Sequence, residues 1–216
     1  MVSVERLRTV LAADLTRRRV VVALALVVGT AVLGLALSTR PGDVWFYLST
    51  VVAAVVWTAG GLLSGPLPPL RGTLRRPLLT PAVIGLAAGA VFLAGALVVR
   101  EIPPLRDFVQ GVLAYADRGT ITLVLLVAVA NGVAEEIFFR GALYEAIGPR
   151  SPVLISTVIY ALVTVVTGNP VLVFAAATLG AVLGMLRRAS GTIVAPAITH
   201  VTWSILMLFA LPPLVA

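Results

Sequence analysis

The chain has 216 residues, of which 60% are hydrophobic and only 12% charged, with a formal net charge of +7. Soluble domains carry roughly 25% charged residues, so this composition excludes a water-soluble protein and makes lipid the main solvent. The sequence has no cysteine, which excludes disulfides and thiolate metal sites. Because the positive charge lies beside hydrophobic segments, we interpret it as a topology signal and expect no nucleic-acid partner.

The hydrophobic segments predict an all-α transmembrane bundle of about seven spans, at about 20 residues each, plus one short interfacial helix. In chain order the expected spans are 20–37, 44–63, 78–99, 121–139, 152–166, 171–186 and 193–211. The fourth helix should continue toward Gly148. Residues 100–118 present one apolar face at helical spacing and predict the interfacial helix. We divide the chain into N-terminal helices with the interfacial segment, 1–119, and a core bundle with the candidate site, 120–216.

Arginine placement predicts the orientation, and all 16 basic residues are arginine. With the N-terminus in the cytoplasm, only Arg40, Arg100, Arg106 and Arg118 lie outside, as the positive-inside rule prefers. The inner arginines are Arg6, Arg8, Arg17, Arg18, Arg19, Arg71, Arg75, Arg76, Arg140, Arg150, Arg187 and Arg188. Seven spans then put the C-terminus outside. We expect a multi-pass protein of a bacterial plasma membrane.

Late in the fourth span, two adjacent acids and a base stand in otherwise apolar sequence. A lone charge at mid-membrane costs roughly 2.5–3.5 kcal/mol, so these groups need partners. Glu136 and Arg140 are four residues apart, in the favourable order for an ion pair. Glu135 points about 100° away, lacks that partner, and should face Asn131 and Gly132, where it could hold water. The alternative is that both glutamates are simply solvated among the cytoplasmic headgroups.

Two later spans carry polar groups at a similar predicted depth. Tyr160 and Thr164 share one helix face in the fifth span, although such hydroxyls often bond within or between helices instead. His200 is the only histidine, with Ser204 one turn later and Pro196 one turn earlier, where a bend is expected. A lone histidine is more often a packing residue. The shared depth of three helices nevertheless predicts one site.

The sequences Glu135-Glu136-x-x-x-Arg140 and Ala195-Pro196-x-x-x-His200 resemble the CAAX-protease and bacteriocin-processing (CPBP) family of intramembrane peptidases, over roughly residues 121–209. The resemblance implies that Glu135 is the general base, that Glu136 and Arg140 orient it, and that His200 polarises the scissile carbonyl. The family's Phe-x-x-x-His motif here ends in Thr164, and its final His-x-x-x-Asn or Asp motif ends in Ser204. Under this resemblance Thr164 would bind the water, and Ser204 would join His200 in donating to the oxyanion.

The sequence leaves the cofactor open. Catalytic zinc normally has three protein ligands, whereas Glu135 and His200 supply two and Thr164 is a poor third. The leading hypothesis is an endopeptidase that cleaves a membrane-tethered peptide or protein. The alternative is a catalytically degenerate member that binds a membrane partner without cleaving it. A proton- or solute-conducting bundle is less favoured, because the acids cluster on one helix and no inverted repeat is present.

Overall fold

The structure is a computed structural model that describes residues 4–74 and 76–215, with side chains from residue 14 onward. Within that part of the chain all regular secondary structure is helical, which confirms the predicted all-α class. Arg75 lies outside the described residues, as do the side chains of Arg6 and Arg8, so three of the arginines used for the orientation are not described.

The helices follow the predicted hydrophobic segments closely. They are α1 (Val4–Ser38), α2 (Val44–Ser64), α3 (Leu79–Val99), α4 (Pro103–Asp117), α5 (Ile121–Glu135), a π-helix (Glu136–Leu143), α6 (Tyr144–Ile147), α7 (Pro152–Val165), α8 (Pro170–Ser190), α9 (Val194–Ala210) and α10 (Pro212–Val215). The expected interfacial segment forms α4, with proline in its first turn. Local sequence explains both ends of α8. The Asn169 side chain accepts hydrogen bonds from backbone N–H groups of the first turn, and Gly191 ends the helix at φ 71°.

Within the described residues, five helical segments are long and apolar enough to cross a membrane: Asp14–Ser38, Val44–Ser64, Leu79–Val99, Ile121–Ile147 and Pro170–Ser190. The other two expected spans form α7 and α9, apolar helices of 14 and 17 residues. At 1.5 Å per residue, α7 extends only about 21 Å, less than the roughly 30 Å hydrocarbon core. A multi-pass helical membrane protein is therefore confirmed, whereas the count of seven spans stays a prediction.

The fourth span contains a π-helix that the sequence did not predict. The helical path runs without a break from Ile121 to Ile147, as expected, and Gly148 ends it at φ 78°. From Glu136 to Leu143 the backbone widens to i→i+5 hydrogen bonding. Such π segments are rare and are often found at functional sites. This one holds Glu136 and Arg140.

The N-terminal helices pack directly on the segment that carries the two acids. Trp57 of α2 is almost fully buried, and its ring centroid lies 4.8 Å from that of Phe138 and 5.2 Å from that of Phe139. A Cβ added to Gly29 of α1 would overlap the Trp57 ring, so the glycine permits the close approach of α1 to α2. On the opposite side, α3 packs against α9, where Thr199 Oγ1 donates to the carbonyl of Pro81 at 2.8 Å. These helices therefore enclose the candidate site.

Candidate functional site

Glu136, Arg140 and His200 form one buried cluster between the π-helix and α9. Both charged side chains of the π-helix are 0% exposed, and His200 is 6% exposed. Arg140 Nη1 donates to Glu136 Oε1 at 3.1 Å, and His200 Nδ1 lies 3.0 Å from the same oxygen. Because a carboxylate is only an acceptor, Nδ1 of His200 carries the proton in this contact. The predicted Glu136–Arg140 ion pair is confirmed, and the imidazole joins it.

The Arg140 guanidinium connects three helices. Its Nη2 donates to the carbonyl of Gly180 in α8 at 3.1 Å, and its Cζ lies 4.9 Å above the centre of the Tyr160 ring of α7. A cation over an aromatic face is attracted by the ring quadrupole, more strongly when both groups are desolvated. Among the described residues, Glu136 Oε2 and Arg140 Nε have no hydrogen-bond partner. The cluster thus keeps an open acceptor and an open donor.

A second arginine, Arg187 of α8, holds the π-helix from outside the cluster. Its Nε donates to the backbone carbonyl of Arg140 at 2.9 Å, and its Nη2 donates to Glu145 Oε1 at 2.7 Å. The guanidinium also lies over the ring of Tyr144, 5.1 Å from its centre. Sequence reasoning interpreted Arg187 only as a topology signal. A basic residue in the last turn of an apolar helix gives no indication of this contact.

Arg140 pairs with Glu136 and not with Glu135 among the ion pairs of the described residues, as expected, but Glu135 has a hydrogen-bond partner that the sequence did not predict. The hydroxyl of Tyr160 donates to Glu135 Oε2 at 2.5 Å. The Asn131 amide, which was expected beside Glu135, donates to the carbonyl of Val127 at 3.0 Å, and Asn131 lines a groove between α5 and α2. Gly132 instead faces the imidazole, since a Cβ built there would lie 3.8 Å from the His200 ring.

Burial separates the two glutamates. Solvation of both among the headgroups is excluded, because Glu136 is fully buried. Glu135 is partly exposed. The arrangement therefore combines a partly exposed glutamate, whose carboxylate is fixed at one oxygen, with a fully buried ion pair beside it.

The two positions that depart from the family motifs have contacts other than the carboxylates. Thr164 Oγ1 donates to the carbonyl of Tyr160 at 2.9 Å, so this hydroxyl bonds back to its own helix. Ser204 lines an apolar cavity of about 310 Å³, together with Trp203, Ala128 and residues of α4 and α8. The structure therefore brings together Glu135, Glu136, Arg140 and His200, with Tyr160 added. No side-chain hydrogen bond in the described part of the chain joins Thr164 or Ser204 to Glu135, Glu136, Arg140 or His200.

The side chains do not fit a three-ligand metal site. In the described residues, no group of three His, Cys, Asp or Glu side chains could hold a metal ion. Oε1 of Glu136 is already shared by Arg140 and His200, and Oε2 of Glu135 accepts from Tyr160. Catalytic zinc normally needs three protein ligands. No chemical step is therefore assigned to zinc.

The family comparison falls on the segment that contains this cluster. A family model described as "Type II CAAX prenyl endopeptidase Rce1-like" matches residues 117–206. The match spans α5, the π-helix, α7, α8 and most of α9, and so includes all the clustered residues. Neither a curated protein nor a solved structure matches the chain.

Proposed function

Since residues 117–206 make this chain a member of the CPBP family of CAAX-protease-like membrane proteins, we propose that it is an intramembrane endopeptidase in which Glu135 activates water. Its substrate is a peptide or small protein tethered to the membrane. The candidate site residues are Glu135, Glu136, Arg140 and His200, with Thr164 and Ser204 at the altered motif positions.

The proposal rests on one observation: Glu135 is a partly exposed residue whose carboxylate is fixed at one oxygen beside a fully buried ion pair. A charge among apolar spans is costly unless it is paired. The Glu136–Arg140 pair and the His200 contact supply that pairing next to Glu135. Such a preorganised group of acid, base and imidazole suits hydrolysis better than structural packing, which apolar residues would serve equally well.

The chemistry needs only a water molecule and the peptide. Glu135 takes a proton from water as the water oxygen bonds to the scissile carbonyl carbon, and the π electrons of the carbonyl move to its oxygen. His200, held through Nδ1 by Glu136, has Nε2 left to donate to that oxyanion when the ring is doubly protonated. The proton on Glu135 then passes to the amide nitrogen as the C–N bond breaks.

The predicted orientation gives the site its side of the membrane. With the N-terminus in the cytoplasm, α5 runs inward and the π-helix ends near the inner surface, where Arg150 follows. We therefore propose that the site opens toward the cytoplasmic leaflet of a bacterial plasma membrane. A substrate held by a lipid chain or an apolar helix in that leaflet would present its peptide at this depth.

The alternative is a degenerate member that binds a membrane partner without cleaving it. It is favoured by the Thr164 hydroxyl, which is bonded to its own helix where the family has an imidazole, and by the lack of a three-ligand metal set in the described residues. Loss of one oxyanion donor commonly costs about 100- to 1000-fold in rate. Two altered positions could thus leave a binding protein.

The test is cleavage of defined peptides by purified protein in liposomes. Two internally quenched CAAX-box peptides serve as probes, one farnesylated and one carrying a palmitoyl chain, so that the lipid tether is varied. The wild-type protein is expected to cleave at least one probe, and Glu135→Gln should lose about 100- to 10,000-fold of that rate, the usual contribution of a positioned base.

Binding of the same peptides separates the two functions. A fluorescence-anisotropy titration should give similar affinities for the wild-type protein and Glu135→Gln, because the substitution preserves shape. Binding without cleavage by the wild type would support the degenerate alternative. Equal cleavage by wild type and Glu135→Gln would refute the role proposed for Glu135.

A further inference from the structure

The position that lost its family histidine lies next to a tyrosine whose hydroxyl reaches the proposed base. Thr164 bonds to the carbonyl of Tyr160, one turn earlier on the same helix. The Tyr160 hydroxyl donates to Glu135 Oε2 at 2.5 Å, a bond between α7 and α5. The polar contact from α7 to the carboxylate therefore comes one turn earlier than the motif position.

We propose that Tyr160, and not Thr164, is the positioning residue that α7 supplies to the active site, an inference that rests on the proposed peptidase function. The phenol fixes Oε2 of Glu135, which leaves Oε1 to take the proton from water. Tyr160 keeps its own proton throughout the reaction, so no bond to its oxygen is made or broken in the chemical steps.

The surroundings of the ring explain how the hydroxyl is held. The Tyr160 ring lies under the Arg140 guanidinium and packs edge-on against Phe139, with ring centroids 4.7 Å apart. Gly180 of α8 also lies close to the ring, since a Cβ there would be 3.2 Å from Tyr160 Cδ1. The ring is thus fixed by the π-helix and by α8, and its hydroxyl has little freedom to leave Glu135.

This geometry also connects the two halves of the site. The guanidinium that pairs with Glu136 rests on the ring whose hydroxyl bonds to Glu135. A displacement of Arg140 is therefore expected to disturb the Tyr160 ring and, through its hydroxyl, the base. A phenylalanine at position 160 would keep the stacking and lose only the hydrogen bond, so one substitution isolates the proposed role.

The experiment compares Tyr160→Phe with Thr164→Val in the liposome cleavage assay, measuring kcat and KM separately. Tyr160→Phe should lower kcat by about 10- to 100-fold with little change in KM, because a misaligned base loses part of its contribution. Thr164→Val should lower kcat by clearly less. Tyr47→Phe is the matched control, since the buried Tyr47 hydroxyl on α2 has no hydrogen-bond partner in the described residues.

A second measurement reads the hydrogen bond without catalysis. The infrared band of the Glu135 carboxyl group is obtained as the difference between the wild-type and Glu135→Gln spectra. Tyr160→Phe should shift this band, and Tyr47→Phe and Thr164→Val should leave it in place. A merely structural role of the ring would not move it, because phenylalanine preserves the packing.

The outcomes separate this inference from the proposed function. If Glu135→Gln abolishes cleavage while Tyr160→Phe retains the wild-type kcat, the peptidase stands and the role of Tyr160 is refuted. A larger loss in Thr164→Val than in Tyr160→Phe, or an unshifted carboxyl band in Tyr160→Phe, refutes it equally. Cleavage that persists in Glu135→Gln refutes the peptidase mechanism, whatever the infrared result.

Discussion

The imidazole of His200 meets the carboxylate of Glu136, with Nδ1 3.0 Å from Oε1, although 64 residues separate them in the chain. The contact joins the π-helix to α9 in the apolar interior, and Arg140 shares the same oxygen. Three polar groups thus compensate one another where each alone would be costly. This contact holds the imidazole beside Glu135.

The single histidine makes this contact directly observable. Protein labelled with 15N-histidine should give one imidazole spin system, with Nδ1 protonated and hydrogen-bonded. Glu136→Gln should shift the Nδ1 signal, because a neutral amide oxygen replaces the carboxylate. Glu101→Gln, at an exposed acid outside the cluster, should leave the spectrum unchanged. An unchanged Nδ1 signal in Glu136→Gln would contradict the contact.

Removal of Arg140 should destabilise the protein strongly. Arg140→Met leaves a buried carboxylate without its cation, a change that typically costs about 3–5 kcal/mol. The loss can be measured by unfolding with sodium dodecyl sulfate in mixed micelles. Arg100→Gln breaks the exposed Arg100–Glu101 pair and should cost less than about 1 kcal/mol. Similar losses for both variants would mean that the buried cluster is not strongly paired.

Arg187 should matter for the shape of the π-helix. Arg187→Gln loses the bond to the Arg140 carbonyl and the pair with Glu145, so it should lower the unfolding temperature in detergent and reduce cleavage. Arg187→Lys can replace only one of the two bonds, so its unfolding temperature should lie between those of the wild type and Arg187→Gln. The adjacent Arg188 is exposed, so Arg188→Gln is the control. Equal unfolding temperatures for Arg187→Gln and Arg188→Gln would contradict the support that we assign to Arg187.

Gly180 should be required for its lack of a side chain. A Cβ there would lie 3.2 Å from Tyr160 Cδ1, which is tighter than an ordinary contact, so Gly180→Ala should shift the Tyr160 ring and lower kcat. Gly95→Ala in α3 meets no atom within 4 Å and should be silent. A Gly180→Ala variant with wild-type kcat would show that the ring has room to move without loss of function.

The sequence predicted the helices well, because nearly every one begins or ends at proline, glycine, a capping side chain or a charge. It also predicted the Glu136–Arg140 pair, which depends only on spacing along one helix. It could not predict the π-helix, since the sequence gives no sign of the packing on Trp57 or of the bond from Arg187 that accompany the widened backbone. Tyr160 was not predicted as the partner of Glu135 for a similar reason: which residue of α7 reaches Glu135 depends on how α7 is rotated toward α5.

The most direct test of the account is cleavage of the lipid-tethered CAAX-box peptides in H₂¹⁸O, with the products analysed by mass spectrometry. The wild-type protein should release a fragment whose new C-terminal carboxylate carries one ¹⁸O atom, and Glu135→Gln should release almost none. Labelled product formed at the same rate by Glu135→Gln would contradict the central claim that this carboxylate activates the water.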